Sequence, residues 1–162
     1  MNTQNLNPLL VSKVQQLLKV ANGQGLSVDV FSDFRSMDEQ QRLYNLGRTV
    51  KNPDGATDKL PMGNIVTEAK PGQSWHNWGL AVDIVFKINR NWDWGIRNNW
   101  DRLGQLGENL GLVWGGHFPP RLIDKPHFEL TGGLTIAEAQ ELEDINDVWD
   151  EVAKRLNNAR IA

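Results

Sequence analysis

The sequence predicts an α+β fold, because amphipathic helical periodicity occupies both ends of the chain and short apolar strands lie between them. At the start, Asn7-Pro8 reads as an N-cap followed by proline at the first helical position. Leu9, Leu10, Val14, Leu17, Leu18 and Ala21 then recur at helical spacing until Gly23 supplies a stop. Val28 and Val30 mark a short strand ending near Asp33. Ser36 with Glu39 fits a capping box, opening a helix to about Gly47. From Arg48 to Gly72 all periodicity fails, with Pro53, Asp54-Gly55, Pro61, Gly63 and Pro71 scattered through it. So long an unpatterned stretch is commonly a binding loop or lid. Leu80–Phe86 is the clearest strand, and a tryptophan-rich segment and a helix from Ile96 to Leu110 follow it, stopped by Gly111. Short strands are expected at Leu112–Trp114 and His127–Leu130. Thr135 and Glu138 form a second capping box. Ile136, Ala139, Leu142, Ile145, Val148, Val152 and Leu156 predict one long amphipathic C-terminal helix over 135–160.

At 162 residues, with no internal repeat or linker, the chain is expected to be a single domain spanning 1–162. Its net charge of −3 comes from interspersed acids and bases, and the lack of a basic stripe argues against nucleic acid as a partner. There is no cysteine, which excludes disulfides and thiolate zinc sites; any metal must be held by histidine and carboxylate. Met1-Asn2-Thr3-Gln4-Asn5 has no basic n-region, and no run is long enough to span a bilayer. The expectation is cytoplasmic synthesis without a signal peptide and no membrane insertion. Seven tryptophans against a single tyrosine hint at sugar or peptide contact, although buried tryptophans are commoner.

Leu80-Ala81-Val82-Asp83-Ile84-Val85-Phe86 places Asp83 on a face shared with Ala81 and Val85, in a strand apolar on both sides. A carboxylate there costs several kcal/mol unless something positive meets it. An arginine, a set of backbone N–H groups and a metal ion are the candidates. His76, in Ser74-Trp75-His76-Asn77-Trp78-Gly79, lies just ahead of the strand, where a turn through Gly79 could fold it back beside Asp83. In Pro126-His127-Phe128-Glu129-Leu130, strand alternation turns His127 and Glu129 to one side and Phe128 and Leu130 to the other. Each histidine alone reads as an ordinary hydrogen-bonded residue. Two histidines and an aspartate together suffice for a three-ligand catalytic zinc set with a fourth position for water. Asp124, three positions before His127, reads as a turn residue before proline or as a general base. Arg35 reads as a carboxylate-pairing arginine or as a clamp on a developing oxyanion. A helical H-E-x-x-H pair, a G-x-S-x-G elbow and the glycine patterns of nucleotide sites are all absent.

Ser74-x-His76-x-x-Gly79-x-Ala81-x-Asp83, followed by Asp124-x-x-His127, resembles the signature of the zinc D-Ala-D-Ala carboxypeptidase and L-alanyl-D-glutamate endopeptidase family, the LAS-type peptidoglycan peptidases. Phe34-Arg35-Ser36, Glu39-Gln40, Leu43-Tyr44, Gly47-Arg48-Thr49, Ala69-Lys70-Pro71-Gly72-Gln73-Ser74 and Gly111-Leu112-Val113-Trp114-Gly115-Gly116 are similar too, so the resemblance covers about residues 35–130. It implies a small central antiparallel sheet flanked by helices, shared with the hedgehog signalling domain. It also implies one Zn2+ on His76, Asp83 and His127, acid/base catalysis by Asp124, an oxyanion contact from Arg35, and substrate contacts from Ser74 and Gln40. Two features depart from the family: His117 stands where an aspartate is expected, and the segment after Thr135 extends beyond the shared core.

The Gly-Arg-Thr and Gly-Leu-Val-Trp-Gly-Gly elements look most like the endolysin-like branch. The resemblance then implies a phage or prophage enzyme cutting the L-Ala–D-Glu bond of peptidoglycan stem peptides. Such an enzyme is expected to be monomeric and to reach the wall through a separate pore-forming protein. Three other readings remain: a D-alanyl-D-alanine carboxypeptidase, a non-catalytic zinc-binding interaction domain, and a glycan-binding module using Trp75, Trp78, Trp92 and Trp94.

Overall fold

Among the described residues five strands pair antiparallel, and the helices pack around the sheet they form. The computed structural model describes residues 1–159. In chain order the elements are α1 (Pro8–Gly23), β1 (Val28–Ser32), α2 (Met37–Asn45), a 3-10 turn (Trp75–Trp78), β2 (Ala81–Ile88) and β3 (Asn91–Asp93). There follow α3 (Trp100–Asn109), β4 (Val113–Trp114), a 3-10 turn (Gly115–His117), β5 (His127–Glu129), α4 (Ile136–Leu142) and α5 (Ile145–Asn158). The sheet runs β1-β2-β5-β4, with β3 pairing the far end of β2. The α+β expectation with a small antiparallel sheet therefore holds. Among the described residues no helix is long and apolar enough to cross a membrane.

α1 starts where Asn7 accepts the Leu9 amide at 2.9 Å with Pro8 in the first turn, and it buries Leu10, Val14, Leu17 and Ala21. That stripe meets Val82, Ile84 and Phe86 of β2, Phe128 of β5, and Leu103 and Leu106 of α3 in the main apolar cluster. α2 opens on half of the expected box: Ser36 accepts from the Glu39 amide, while the Glu39 carboxylate pairs with Arg42 at 2.7 Å. The unpatterned stretch forms a loop closed on itself, with the Asn52 amide donating to Met62 O and the Asn64 amide to Asp54 O.

Two expectations need correction. The helix expected from Ile96 begins at Trp100, because Asn99 caps it by accepting from the Arg102 amide and the preceding residues curl against Asp93 and Gly95. The residues before that curl make β3, reached from β2 by a two-residue turn in which Asn89 and Arg90 have φ 51° and 68°, as a type I′ hairpin requires. Arginine in a left-handed position carries no turn signal, so the hairpin was invisible in the sequence. The single C-terminal helix is in fact two. Glu143 adopts φ 62°, and Asp144 then caps α5 by accepting from Asn146 N at 2.7 Å. Apolar spacing continues across the break and hides it. Arg160, expected as the last residue of that helix, lies outside the described residues.

α4 and α5 carry a second apolar cluster of Trp78, Leu80, Leu134, Ala139, Val148 and Val152, with Leu156 of α5 packing against both this cluster and the main one. Trp149 of α5 donates its indole N–H to Trp78 O at 2.7 Å, and the Asn7 amide donates to Gly79 O at 2.9 Å. Both ends of the chain thus clamp the turn that carries His76. Gly79 has φ 62°, and a Cβ there would lie 2.2 Å from Asn5 O. Gly79→Ala is expected to cost about 2–4 kcal/mol, from left-handed strain and backbone collision together, read as a lowered urea midpoint at unchanged m-value.

Candidate metal centre

The register of the sheet assembles the centre. Antiparallel pairing sets Asp83 of β2 directly opposite His127 of β5, with Ala81 opposite Glu129, so strand alternation puts Asp83, His127 and Glu129 on one face. The 3-10 turn then lays His76 over the same spot. It is pinned to the end of β1 by the Arg35 amide donating to His76 O at 3.1 Å and by Asn77 Nδ2 donating to Arg35 O at 2.8 Å.

His76 Nδ1 donates to Asp33 O at 2.8 Å, which leaves Nε2 as the free nitrogen, 3.4 Å from Asp83 Oδ1. His127 Nε2 donates to Glu129 Oε2 at 2.9 Å, which leaves Nδ1 facing the same aspartate oxygen at 3.5 Å. Charge-assisted hydrogen bonds run at about 2.7–2.9 Å, so these carboxylate–imidazole gaps are too wide for good direct bonds. They do match the edge of a tetrahedron of ligands around one cation at about 2.0–2.2 Å, which is about 3.3–3.6 Å. All three donor atoms lie within 4.8 Å of one another. The donor set, its spacing and its tautomers fit a divalent cation.

Both imidazoles are buried and Asp83 is half-buried at the foot of the cleft, and the charges respond. Burial alone would raise the Asp83 pKa, but His76 and His127 outweigh it and hold the carboxylate well below its usual range. Burial likewise lowers His127, but the negative charges of the neighbouring Asp83 and Glu129 prevail and carry it to about 9. Glu129 is the residue that sequence reasoning left without a role. Its only signal was the H-x-E alternation of a strand, which puts both side chains on one face.

The other candidate residues surround a cleft of about 930 Å³. Arg35 reaches Asp83 at 3.9 Å and donates to Gln40 Oε1 at 2.9 Å. Gln40, expected among the substrate contacts, is 0% exposed; its amide donates to Ala69 O at 2.7 Å, tying Arg35 to the long loop. Ser74 is half-buried in the cleft wall. Asp124 lies in a turn closed by its backbone, its amide donating to Gly115 O and its carbonyl accepting from His127 N, so the turn does not consume the carboxylate. That carboxylate opens onto the cleft, yet the surrounding protein, and then the charge of Asp83, push its pKa upward. Gly115 makes the turn possible, since a Cβ there would sit 2.4 Å from Asp124 O. His117 points away from the centre to pair with Glu108 at 2.8 Å beside a separate depression. Trp78, one of four tryptophans considered for glycan contact, is buried with its indole N–H on Gly72 O. Trp75 is partly buried in the cleft wall, while Trp92 and Trp94 stand exposed.

Comparison with known proteins follows the same lines. Residues 3–118 match the family described as VanY: D-alanyl-D-alanine carboxypeptidase. The peptidoglycan L-alanyl-D-glutamate endopeptidase CwlK of Bacillus subtilis (strain 168) is 32% identical over 135 residues, which span 78% of this chain and 74% of that protein. Among solved structures, the L-Ala D-Glu endopeptidase ChiX of Serratia marcescens superposes with a TM-score of 0.55 at 23% identity, covering 80% of this chain and 84% of its own. A mutant of the vancomycin resistance D,D-pentapeptidase VanY in complex with Zn(II) gives 0.57 at 18% identity, covering 93% and 83%. The match over most of the chain, joined to a relative this similar, places the protein in the VanY D-alanyl-D-alanine carboxypeptidase family.

Proposed function

We propose that this protein is a zinc-dependent peptidoglycan hydrolase that cuts the L-Ala–D-Glu bond of stem peptides, in the setting of a phage or prophage endolysin. The observation that carries the reading is the spacing of His76 Nε2, Asp83 Oδ1 and His127 Nδ1, too wide for hydrogen bonding and right for a shared cation. Zinc on these three donors supplies Lewis acidity toward a carbonyl oxygen and toward a water molecule.

The remaining work falls to the chain's own side chains. Asp124, with its raised pKa and open aspect, accepts the proton of the attacking water and returns it to the departing amine of D-Glu. Arg35 offsets the charge that grows on the scissile carbonyl oxygen. Gln40, itself buried, acts through Arg35, accepting a hydrogen bond that orients the guanidinium. Ser74 contacts the bound peptide from the cleft wall.

An endopeptidase is favoured over a D,D-carboxypeptidase by the endopeptidase relative named above.

Defined muropeptides incubated with purified protein and read by mass spectrometry are expected to yield fragments ending in free L-Ala; loss of one D-Ala instead would establish the carboxypeptidase. Asp124→Asn should lower kcat by about 10²–10⁴-fold while leaving the metal content intact. Glu129→Gln, which weakens the hold on the His127 ring, should lower zinc affinity by about 10–100-fold, measured by competition with a chromogenic chelator.

A further inference from the structure

One end of the cleft is built of exposed aromatic rings that the proposed chemistry does not use. Phe31 is 47% exposed and Trp94 is 51% exposed, and both line the same cleft as the metal set. Phe31 meets Trp92 and Trp94 edge to face, with centroids 5.3 and 4.8 Å apart. The cluster lies on the catalytic face of the sheet. Asp83, Val85 and Lys87 alternate along that face of β2; Asp29 of β1 pairs with Val85, and Trp92 of β3 pairs with Lys87. β1 loses register between Val30 and Ser32, and such bulges re-aim side chains beside active sites; Phe31 is the residue at the irregularity. Lys87 lies 4.4 Å from the centre of the Trp92 ring and pairs with Asp29 at 2.6 Å, so charged hydrogen-bonding groups border the rings.

Resting on the endopeptidase reading above, we propose that Phe31, Trp92 and Trp94 form a subsite for the pyranose ring of the muramyl sugar that bears the stem peptide. Flat, electron-rich rings bordered by polar groups suit a sugar, whose C–H faces are slightly positive and whose edge carries hydroxyl and acetamido groups. The register places Phe31 beside the rung of Asp83, between Val30 opposite Ile84 and Ser32 opposite Asp83, so the rings adjoin the metal set along the cleft. The subsite is continuous with the cleft, so one substrate can occupy both. The sugar thereby sets the register that brings the first peptide bond of the stem, rather than a later one, to the metal.

The test has two arms. The first titrates the peptide-free disaccharide of N-acetylglucosamine and N-acetylmuramic acid while the indole N–H resonances are followed by NMR. Shifts at Trp92 and Trp94 are expected, with Trp114 and Trp149 unmoved, and binding should be lost in Trp94→Ala and retained in part in Trp94→Phe. The second arm compares kcat/KM for a disaccharide-linked stem peptide with that for the same peptide capped by a lactyl group alone. The wild type should favour the sugar-bearing substrate by about tenfold, the scale of a lost aromatic contact, and Phe31→Ala or Trp94→Ala should bring the ratio toward one. Equal cleavage of both substrates with unmoved indoles overturns the subsite and leaves the endopeptidase reading standing. Shifted indoles with no L-Ala–D-Glu cleavage support the sugar site and overturn that reading. Concentration-dependent self-association that shifts the same indoles without sugar assigns the patch to a second copy and overturns the subsite.

Discussion

A half-buried carboxylate in the central strand is the constraint around which this molecule is organised. Asp83 sits in β2 between residues that belong in a core, and an ion so placed is costly unless compensated. The compensation comes from two imidazoles that reach it from different parts of the chain, His127 across one rung of the sheet and His76 from the turn before the strand. At 3.4 and 3.5 Å neither makes a tight hydrogen bond with it. The three groups are held apart at the separation that a shared cation fills, so the electrostatic problem of the core and the chemistry of the cleft have one solution.

Much of the remaining architecture holds those three donors in place. Each imidazole is oriented by the nitrogen it does not offer to the centre: His76 by the Asp33 carbonyl, His127 by Glu129. The turn carrying His76 is gripped from below by Trp149 of the C-terminal helix pair and by the N-terminal segment through Asn7. This explains why the chain continues past the strand that supplies His127. On the cleft side, Gln40 joins Arg35 to the long loop near Ala69, tying the guanidinium to the loop through two hydrogen bonds.

The cleft is chemically divided. Near the donors it offers Asp124 and Arg35, one pushed toward holding a proton and the other permanently charged. Toward the β1–β3 end it offers Phe31 and Trp94. A polymer of sugars bearing short peptides has the same division.

The sequence by itself determined the helix and strand types wherever local chemistry announces them. Asn7-Pro8, the Thr135–Glu138 box and the run through Asp83 each formed as read, since caps and alternation act over a few residues. It also raised His76, Asp83 and His127 as a ligand set, through a strand carboxylate that needs a positive partner and through the resemblance of their spacing to a known signature. What it left open depended on partners distant in the chain. The hairpin at Asn89-Arg90 and the break at Glu143 place non-glycine residues at positive φ, held there by the pairing of β3 with β2 and by the cap at Asp144. The burial of Gln40, the tautomer of His76 and the gathering of Phe31, Trp92 and Trp94 arise only when separate segments meet. Hydrogen bonds and ring contacts between residues tens of positions apart leave no periodic trace in the chain, so tertiary structure alone decided them.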